Sequence, residues 1–185
     1  MLSSTDRHAV ADALEAAETA RRPIDPLTRT WPGIDVTDAY EVQLLLIQRK
    51  VAAGALVRGH KVGLSSKAMQ QMMGVDEPDY GHLLDTMLVA EGDPIPVAEL
   101  CAPRVEVEVG FVLGHDLSGP GVTPADVLRA TAFVLPAIEI IDSRIADWRI
   151  GLPDTIADNA SSARVVVGGV ATPVAGLDLR ALGAV

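Results

Sequence analysis

Three glutamates in apolar surroundings are the residues of this chain best suited to chemistry. Glu106 and Glu108 lie in the run Arg104–Val109, and Glu139 lies in the run Leu135–Ile141. If the first run is a strand, Glu106 and Glu108 face the same side, where two like charges repel unless a cation or protons intervene. With Glu139 as a third ligand, the sequence predicts a divalent-cation site.

Each glutamate also has a structural interpretation. Valines alternate with the pair over Val105–Val109, as in a half-solvated strand whose valine face is buried. Glu139 is surrounded by apolar residues, and a buried glutamate needs a partner, which could be Arg144 or Arg104 in a salt bridge. The sequence leaves these roles open beside the cation site, which is the preferred interpretation.

The ligand set also indicates which ion is expected. Three carboxylates are hard oxygen ligands, which suit Mg²⁺ or Mn²⁺ and leave positions for water and substrate oxygens. Zinc is less suitable because the chain has one cysteine, and its four histidines lack zinc-site spacing. An open octahedral site of this kind suits chelation by a 2-oxo or 2-hydroxy acid.

Lys61 and Asp79 are the candidates for moving protons. Lys61 lies between Gly59 and Gly63 beside apolar residues, where partial burial and a nearby cation favour the neutral amine. It could equally be a strand-end lysine that reaches water or pairs with an acid. Asp79 could act with it as acid or base, or it could stabilise a turn. His82 is a third candidate that we leave outside the predicted set.

Helices are predicted first at the N-terminus. An amphipathic helix is expected over residues 5–22, followed by a second helix from a cap at Thr37 to Gly54. A brief helix should run from Ser66 to near Gly74. Thr123–Asp126 has the capping residue, the proline and the acidic first turn of a further helix start.

The candidate residues are expected on strands that follow these helices. We predict a short strand over His60–Leu64, strands around the three glutamates and a strand over Arg164–Gly168. The segments 77–85 and 154–162 are rich in polar residues and are predicted as loops.

The composition is that of a globular domain. The chain has 185 residues, of which 49% are hydrophobic, and a positive mean hydropathy, so it can bury one sizeable core. Its net charge of −10 and the lack of a basic run argue against nucleic-acid binding. No apolar stretch approaches the length that spans a bilayer, so we expect no membrane association and a soluble, cytoplasmic protein.

Five sequence strings resemble the 2-keto-4-pentenoate hydratases, which belong to the fumarylacetoacetate hydrolase-like superfamily. They are GHKVGLSS at 59–66, GVDEPDYGH at 74–82, PRVEVE at 103–108, PAIEIIDSR at 136–144 and DTIADNAS at 154–161. The resemblance runs in order from the N-terminal helix to nearly the last residue. It implies an α/β (α+β) fold with a mixed, barrel-like β core, helices around it and a homo-oligomeric assembly.

The resemblance also implies roles and a reaction. Glu106, Glu108 and Glu139 match the divalent-metal ligands of the family. Lys61 and Asp79 match its proton-transfer pair. The reaction implied is hydration of 2-hydroxypenta-2,4-dienoate to 4-hydroxy-2-oxopentanoate in aromatic-ring or steroid catabolism. The alternatives are a 2-oxo-3-enedioate (4-oxalocrotonate) decarboxylase and a shortened, non-catalytic assembly subunit.

Length is where the chain departs from the family pattern, because family members continue well past the position that matches Val185. We therefore expect a single domain over 1–185 that is C-terminally incomplete and lacks the closing strands. Within it, residues 1–56 would form the N-terminal helical part and residues 57–185 the metal-binding β core. Unpaired strand edges and uncovered apolar surface would follow.

Overall fold

A computed structural model describes residues 1–183, apart from the side chain of Met73, and in that range helices and strands are mixed. The helices are α1 (Ser4–Ala20), α2 (Leu27–Thr30), α3 (Val36–Ala52), α4 (Lys67–Met73), α5 (Pro124–Ala130) and α6 (Leu152–Ala157). The strands are β1 (Val57–Gly63), β2 (Asp79–Leu84), β3 (Leu88–Val89), β4 (Arg104–Leu113), β5 (Thr131–Ile141) and β6 (Ser162–Val167). This mixture confirms the predicted α/β class.

The strands form two sheets. β1 and β2 pair antiparallel, with Lys61 opposite Gly81 and Gly63 opposite Asp79. The second sheet has the order β3-β6-β5-β4, in which β3 and β6 are parallel and the other neighbours are antiparallel. Within residues 1–183 this sheet ends at β3 and β4, so a closed barrel stays a prediction.

The N-terminal helices α1, α2 and α3 supply most of the main hydrophobic core cluster. Val10 and Leu14 of α1 pack with Val42 of α3 and with Ile145 and Ile156. Val10 and Leu14 are four positions apart on α1, which is the spacing that the amphipathic pattern predicts. None of the described helices is both long and apolar enough to cross a membrane.

The start of α3 differs from the prediction. Asp35, and not Thr37, caps the helix, because its side chain accepts a hydrogen bond from the Asp38 N–H group in a capping box. The helical spacing of Tyr40, Leu44, Ile47 and Val51 predicts one buried stripe, but Leu44 and Val51 are exposed.

Large parts of the two segments predicted as polar loops are regular structure instead. Residues 79–84 form β2, whose Tyr80 ring stacks on Tyr40 of α3 at 4.7 Å between ring centroids. Segment 154–162 begins inside α6 and is buried, where Asp154 accepts a hydrogen bond from the Leu27 N–H group at 2.6 Å. Both predictions are wrong because contacts with distant parts of the chain override local turn propensity.

Strand β4 exposes its apolar side. Val105 and Val107 are each 65% exposed, and Phe111 and Ile138 on the same side are also exposed. The structural interpretation with a buried valine face is therefore wrong for the described residues. We call the exposed side of Val105, Val107, Phe111 and Ile138 the outer face.

Candidate active site

The three glutamates come together across the β4–β5 pair. Glu106 lies opposite Glu139 in the strand register, and Glu108 follows on the same side of β4. One carboxylate oxygen of each residue lies within 4.8 Å of the others. The strand alternation that the sequence shows thus gathers three negative charges in one place.

The environment of this cluster fits a cation. Glu139 is 3% exposed, and burial raises its pKa, although the charge of Lys61 lowers it in part. Burial also raises the pKa of Glu108, and the negative charges of Glu106 and Glu139 raise it further. Among the described residues, Glu139 Oε1 is buried with no hydrogen-bond partner. A divalent cation would reduce the repulsion among the three carboxylates and would give Glu139 Oε1 a binding partner.

Lys61 reaches from β1 to the edge of the cluster. Its Nζ atom lies 3.4 Å from Glu139 Oε2 and 3.9 Å from Glu106 Oε2. It also donates a hydrogen bond to the Ala160 carbonyl at 3.1 Å. The side chain is only 9% exposed. Lys61 is therefore buried beside the acidic cluster and does not reach water, and its contact with Glu139 is the pairing with an acid that the structural alternative allowed.

The arginines proposed as partners of Glu139 are engaged elsewhere. Arg144 is buried and pairs with Asp158. The guanidinium of Arg104 stacks on the Trp148 ring, 4.3 Å from its centroid. The predicted salt bridge of Glu139 exists, but its partner is the buried lysine.

Asp79 opens β2 close to the same lysine. It is buried, which raises its pKa, while the charge of Lys61 lowers it in part. Thr155 Oγ1 donates to Asp79 Oδ2 at 3.4 Å, and Oδ1 has no partner within the described part of the chain. An ideal Cβ on Gly63 would stand 2.2 Å from Asp79 Oδ1 and 3.6 Å from Lys61 Nζ. Both groups therefore face the same small space, an arrangement suited to proton exchange.

These side chains line a cavity of about 340 Å³. Lys61, Asp79, Glu106 and Glu108 are among its polar lining residues. A volume of this size holds a small organic molecule. The apolar walls include Val62, Leu64, Met69, Met72, Ile141 and Ile150.

The sequence interpretation missed the residues that close the cavity behind Lys61. Thr155, Ala160 and Ser161 line the cavity, and all three belong to the segment 154–162 that was predicted as a loop. Ser161 Oγ is buried and lacks a hydrogen-bond partner in residues 1–183. The string DTIADNAS carried the signal for this segment, because it is one of the five that resemble the family, but its polar composition suggested a loop.

His82, the third candidate, packs against α3 rather than joining the cavity lining. Gln43 is buried, and its Nε2 donates to the carbonyls of Tyr80 and Ile156 at 3.0 and 2.8 Å. Its Oε1 must therefore accept the contact with His82 Nδ1 at 3.0 Å, which assigns a proton to Nδ1. Burial, and next the charge of His60, lower the pKa of His82.

The burial of His82 predicts that the stability of the protein depends on pH. Because the pKa of His82 in the folded state is below its ordinary value of 6.5, the contribution of this histidine to stability is complete above pH 6.5. It is lost as the pH falls from 6.5 toward the lowered pKa. We expect His82→Gln to remove this component, which amounts to at most about 1.4 kcal/mol per pH unit. Urea unfolding of both proteins at several pH values checks it, and parallel pH profiles would contradict it.

Comparison with known proteins gives relatives along nearly the whole chain. A 2-keto-4-pentenoate hydratase of Paraburkholderia xenovorans (strain LB400) is 44% identical over 182 residues, which are 98% of this chain and 68% of that protein. A 2-hydroxypent-2,4-dienoate hydratase of Pseudomonas putida is 46% identical over 175 residues, which are 94% of this chain and 79% of that protein. No protein-family model matches the chain.

Solved structures agree with these relatives. The 4-oxalocrotonate decarboxylase from Pseudomonas putida G7, complexed with magnesium and adipate, superposes with a TM-score of 0.92 at 36% identity over 97% of this chain and 68% of that chain. The fold and the acidic cavity thus define an enzyme of a metal-dependent class. Within this class the chain belongs to the 2-keto-4-pentenoate hydratase family, which confirms the resemblance drawn from the sequence strings.

Proposed function

We propose that this chain hydrates 2-hydroxypenta-2,4-dienoate to 4-hydroxy-2-oxopentanoate in the catabolism of aromatic rings or steroids, with Mg²⁺ or Mn²⁺ as cofactor. The observation that carries the proposal is the position of Lys61 Nζ, 3.4 Å from Glu139 Oε2 at the edge of a three-glutamate cluster. Membership of a hydratase family supports the reaction type.

In this proposal Glu106, Glu108 and Glu139 hold the cation. A divalent ion supplies a Lewis acid that stabilises negative charge developing on the substrate's 2-oxygen. The three carboxylates match a hard cation, and the adjoining cavity gives the rest of the substrate a place to lie. The apolar wall residues give the carbon chain of the substrate a nonpolar surface to lie against.

Lys61 and Asp79 are the proposed proton carriers. The net change moves a proton from the 2-hydroxyl group to C5, then adds hydroxide from water at C4 and its proton at C3. Asp79 suits this work because burial raises its pKa and because its unpartnered oxygen, among the described residues, leaves an atom for exchange. Lys61 is held by the Ala160 carbonyl with its remaining N–H groups directed at the cluster.

The decisive experiment follows the dienol itself. The purified chain is incubated with 2-hydroxypenta-2,4-dienoate, Mg²⁺ and ¹⁸O-labelled water, and the product is examined for the label at C4. We expect metal-dependent loss of the dienol and labelled 4-hydroxy-2-oxopentanoate. A stable particle with no metal-dependent turnover would instead support the non-catalytic assembly subunit.

One observation favours a second candidate, decarboxylation of a 2-oxo-3-enedioate. Arg104 also lines the cavity, where a guanidinium could receive a second carboxylate. The solved relative that holds adipate, a dicarboxylate, is named a decarboxylase. Release of carbon dioxide from the dicarboxylic substrate, faster than hydration of the monocarboxylic dienol, would favour this candidate over the hydratase.

We also infer a homo-oligomer with a barrel-like β core. The outer face supports an interface because Val105 and Val107 are each 65% exposed, and exposed apolar patches mark contact surfaces. Native mass spectrometry tests the assembly. A dimer or larger particle is expected, and a monomer at micromolar concentration contradicts it.

Gly63→Ala is expected to disturb the proposed proton carriers without removing either one. The new methyl group would stand 2.2 Å from Asp79 Oδ1, so the carboxyl group must move. Because a displacement of about 1 Å can cost about 100-fold in rate, we expect a loss of that order in kcat. Gly59→Ala on the same strand is the matched control, since its Cβ would have no atom within 4 Å among the described residues. Equal activity of the two variants would refute the prediction.

A further inference from the structure

The turn Asn159–Ser161 has an unusual backbone. All three residues have positive φ, at 55°, 50° and 55°. Residues with a side chain adopt this region at a cost of about 1 to 3 kcal/mol each, so it persists only where the surroundings impose it. We call Asn159–Ser161 the left-handed turn.

The Asn159 side chain fastens this turn to β2. Its Oδ1 accepts a hydrogen bond from the His82 N–H group at 2.7 Å, and its Nδ2 donates to the His82 carbonyl at 2.9 Å. The amide therefore pairs with the backbone of one residue much as a neighbouring strand would. Gly81 makes this approach possible, because a Cβ there would stand 2.4 Å from the Asn159 carbonyl oxygen.

Backbone hydrogen bonds fix the far end of the turn. The Ser161 N–H group donates to the Asp158 carbonyl at 3.0 Å, and the Ser161 carbonyl accepts from the Asp142 N–H group at 2.7 Å. Between these anchors and the Asn159 amide, the Ala160 carbonyl points into the site and receives the Lys61 amine at 3.1 Å. Lys61 thus takes part of its position from a turn that Asn159 holds.

The carbonyl contact matters because it competes with the glutamates for the amine. Lys61 Nζ stays 3.4 Å from Glu139 Oε2, beyond the usual 2.7–2.9 Å of a charge-assisted hydrogen bond. A neutral acceptor on the other side can keep the amine beside Glu139 and available to a substrate. Without that acceptor, the flexible side chain has no fixed place between the turn and the cluster.

We propose that Asn159 is a positioning residue for Lys61, acting through the left-handed turn and the Ala160 carbonyl. The inference rests on the proposed function, because it takes Lys61 as a proton carrier. Asn159 touches neither the cation cluster nor the reacting atoms in this scheme. Its effect should therefore fall on kcat and leave substrate and metal binding unchanged.

Kinetics of Asn159→Ala give the first test. We expect kcat to fall by up to about 100-fold, as misplacement of a reacting group by about 1 Å can do, with KM and the Mn²⁺ dissociation constant within about twofold of wild type. Gln43→Leu is the matched control, because Gln43 is also a buried amide bonded to the β2 backbone through the Tyr80 carbonyl but lies outside the turn. It should lower the melting temperature with little change in kcat.

Chemical labelling of Lys61 gives a readout that needs no turnover. Acylation with acetic anhydride is quantified by peptide mass spectrometry, with Lys67 as the internal reference. We expect the ratio of Lys61 to Lys67 labelling to rise roughly threefold or more in Asn159→Ala, the effect of losing about one hydrogen bond. If Asn159→Ala fails to fold, Asn159→Gly replaces it, because glycine adopts positive φ freely.

Two results would overturn the inference. One is an unchanged labelling ratio in the Asn159 variant, and the other is a kcat in Gln43→Leu that falls as far as in Asn159→Ala. Failure of the proposed function would give a different result, because the wild-type protein would then show no dienol turnover. In that case the labelling ratio would still decide whether Asn159 positions Lys61.

Discussion

Glu139→Gln is expected to abolish the response of the enzyme to Mg²⁺. The substitution keeps the shape of the side chain but removes one of three negative charges that lie within 4.8 Å of one another. Loss of an outer-sphere partner alone costs about 10- to 100-fold in metal affinity, so loss of a direct ligand should cost more than about 100-fold. Turnover should fall to the level seen with a chelator.

Calorimetric titration with Mn²⁺ measures this effect directly in the absence of substrate. Glu41→Gln is the matched control, because Glu41 lies exposed on α3 and the substitution changes the net charge by the same amount. The control should bind Mn²⁺ like wild type. An unchanged Mn²⁺ affinity in Glu139→Gln would remove this residue from the proposed ligand set.

Asp158→Ala is expected to have the largest effect on stability. Asp158 accepts hydrogen bonds from the Arg144 side chain and from the Arg144 N–H group, the latter at 2.9 Å, and both residues are buried. Removal of the carboxylate leaves the buried Arg144 guanidinium without its counter-ion. Breaking a buried pair in this way costs about 3 to 5 kcal/mol in the free energy of unfolding.

Urea denaturation compares this variant with Asp25→Asn. Asp25 pairs with Arg29 at 3.1 Å and with Arg149 at 3.2 Å, but these partners are on the surface. Exposed pairs contribute less than about 1 kcal/mol, so the control should unfold near the wild-type midpoint. Similar midpoints for Asp158→Ala and Asp25→Asn would show that the Arg144 pair is not a major source of stability.

The acidic cluster could be predicted because it depends on local periodicity. A period of two places Glu106 and Glu108 on one side of a strand, and the apolar neighbours of Glu139 make its burial predictable from sequence alone. The partner of Glu139 was not predictable in the same way. Lys61 reaches it across the fold from another sheet, and the arginines closer in sequence are bound elsewhere.

The segment around Asn159 escaped prediction for a physical reason. Asp154, Asp158 and Asn159 are polar and follow a proline and a glycine, which locally favours a loop. Each instead uses its side chain to accept a hydrogen bond from a backbone N–H group of a distant or neighbouring segment. The Asp154 partner is Leu27, 127 positions away, and no local pattern can indicate a contact over that separation.

The pairing of Glu106 with Glu139 has a consequence for the lifetime of the protein. These residues lie opposite each other on adjacent strands, so an ion bound between them would also stabilise the pairing of β4 with β5. Any ligand that prefers the folded chain stabilises it in proportion to the logarithm of its concentration. In a cell starved of divalent ions, the same polypeptide would unfold more often and be degraded sooner.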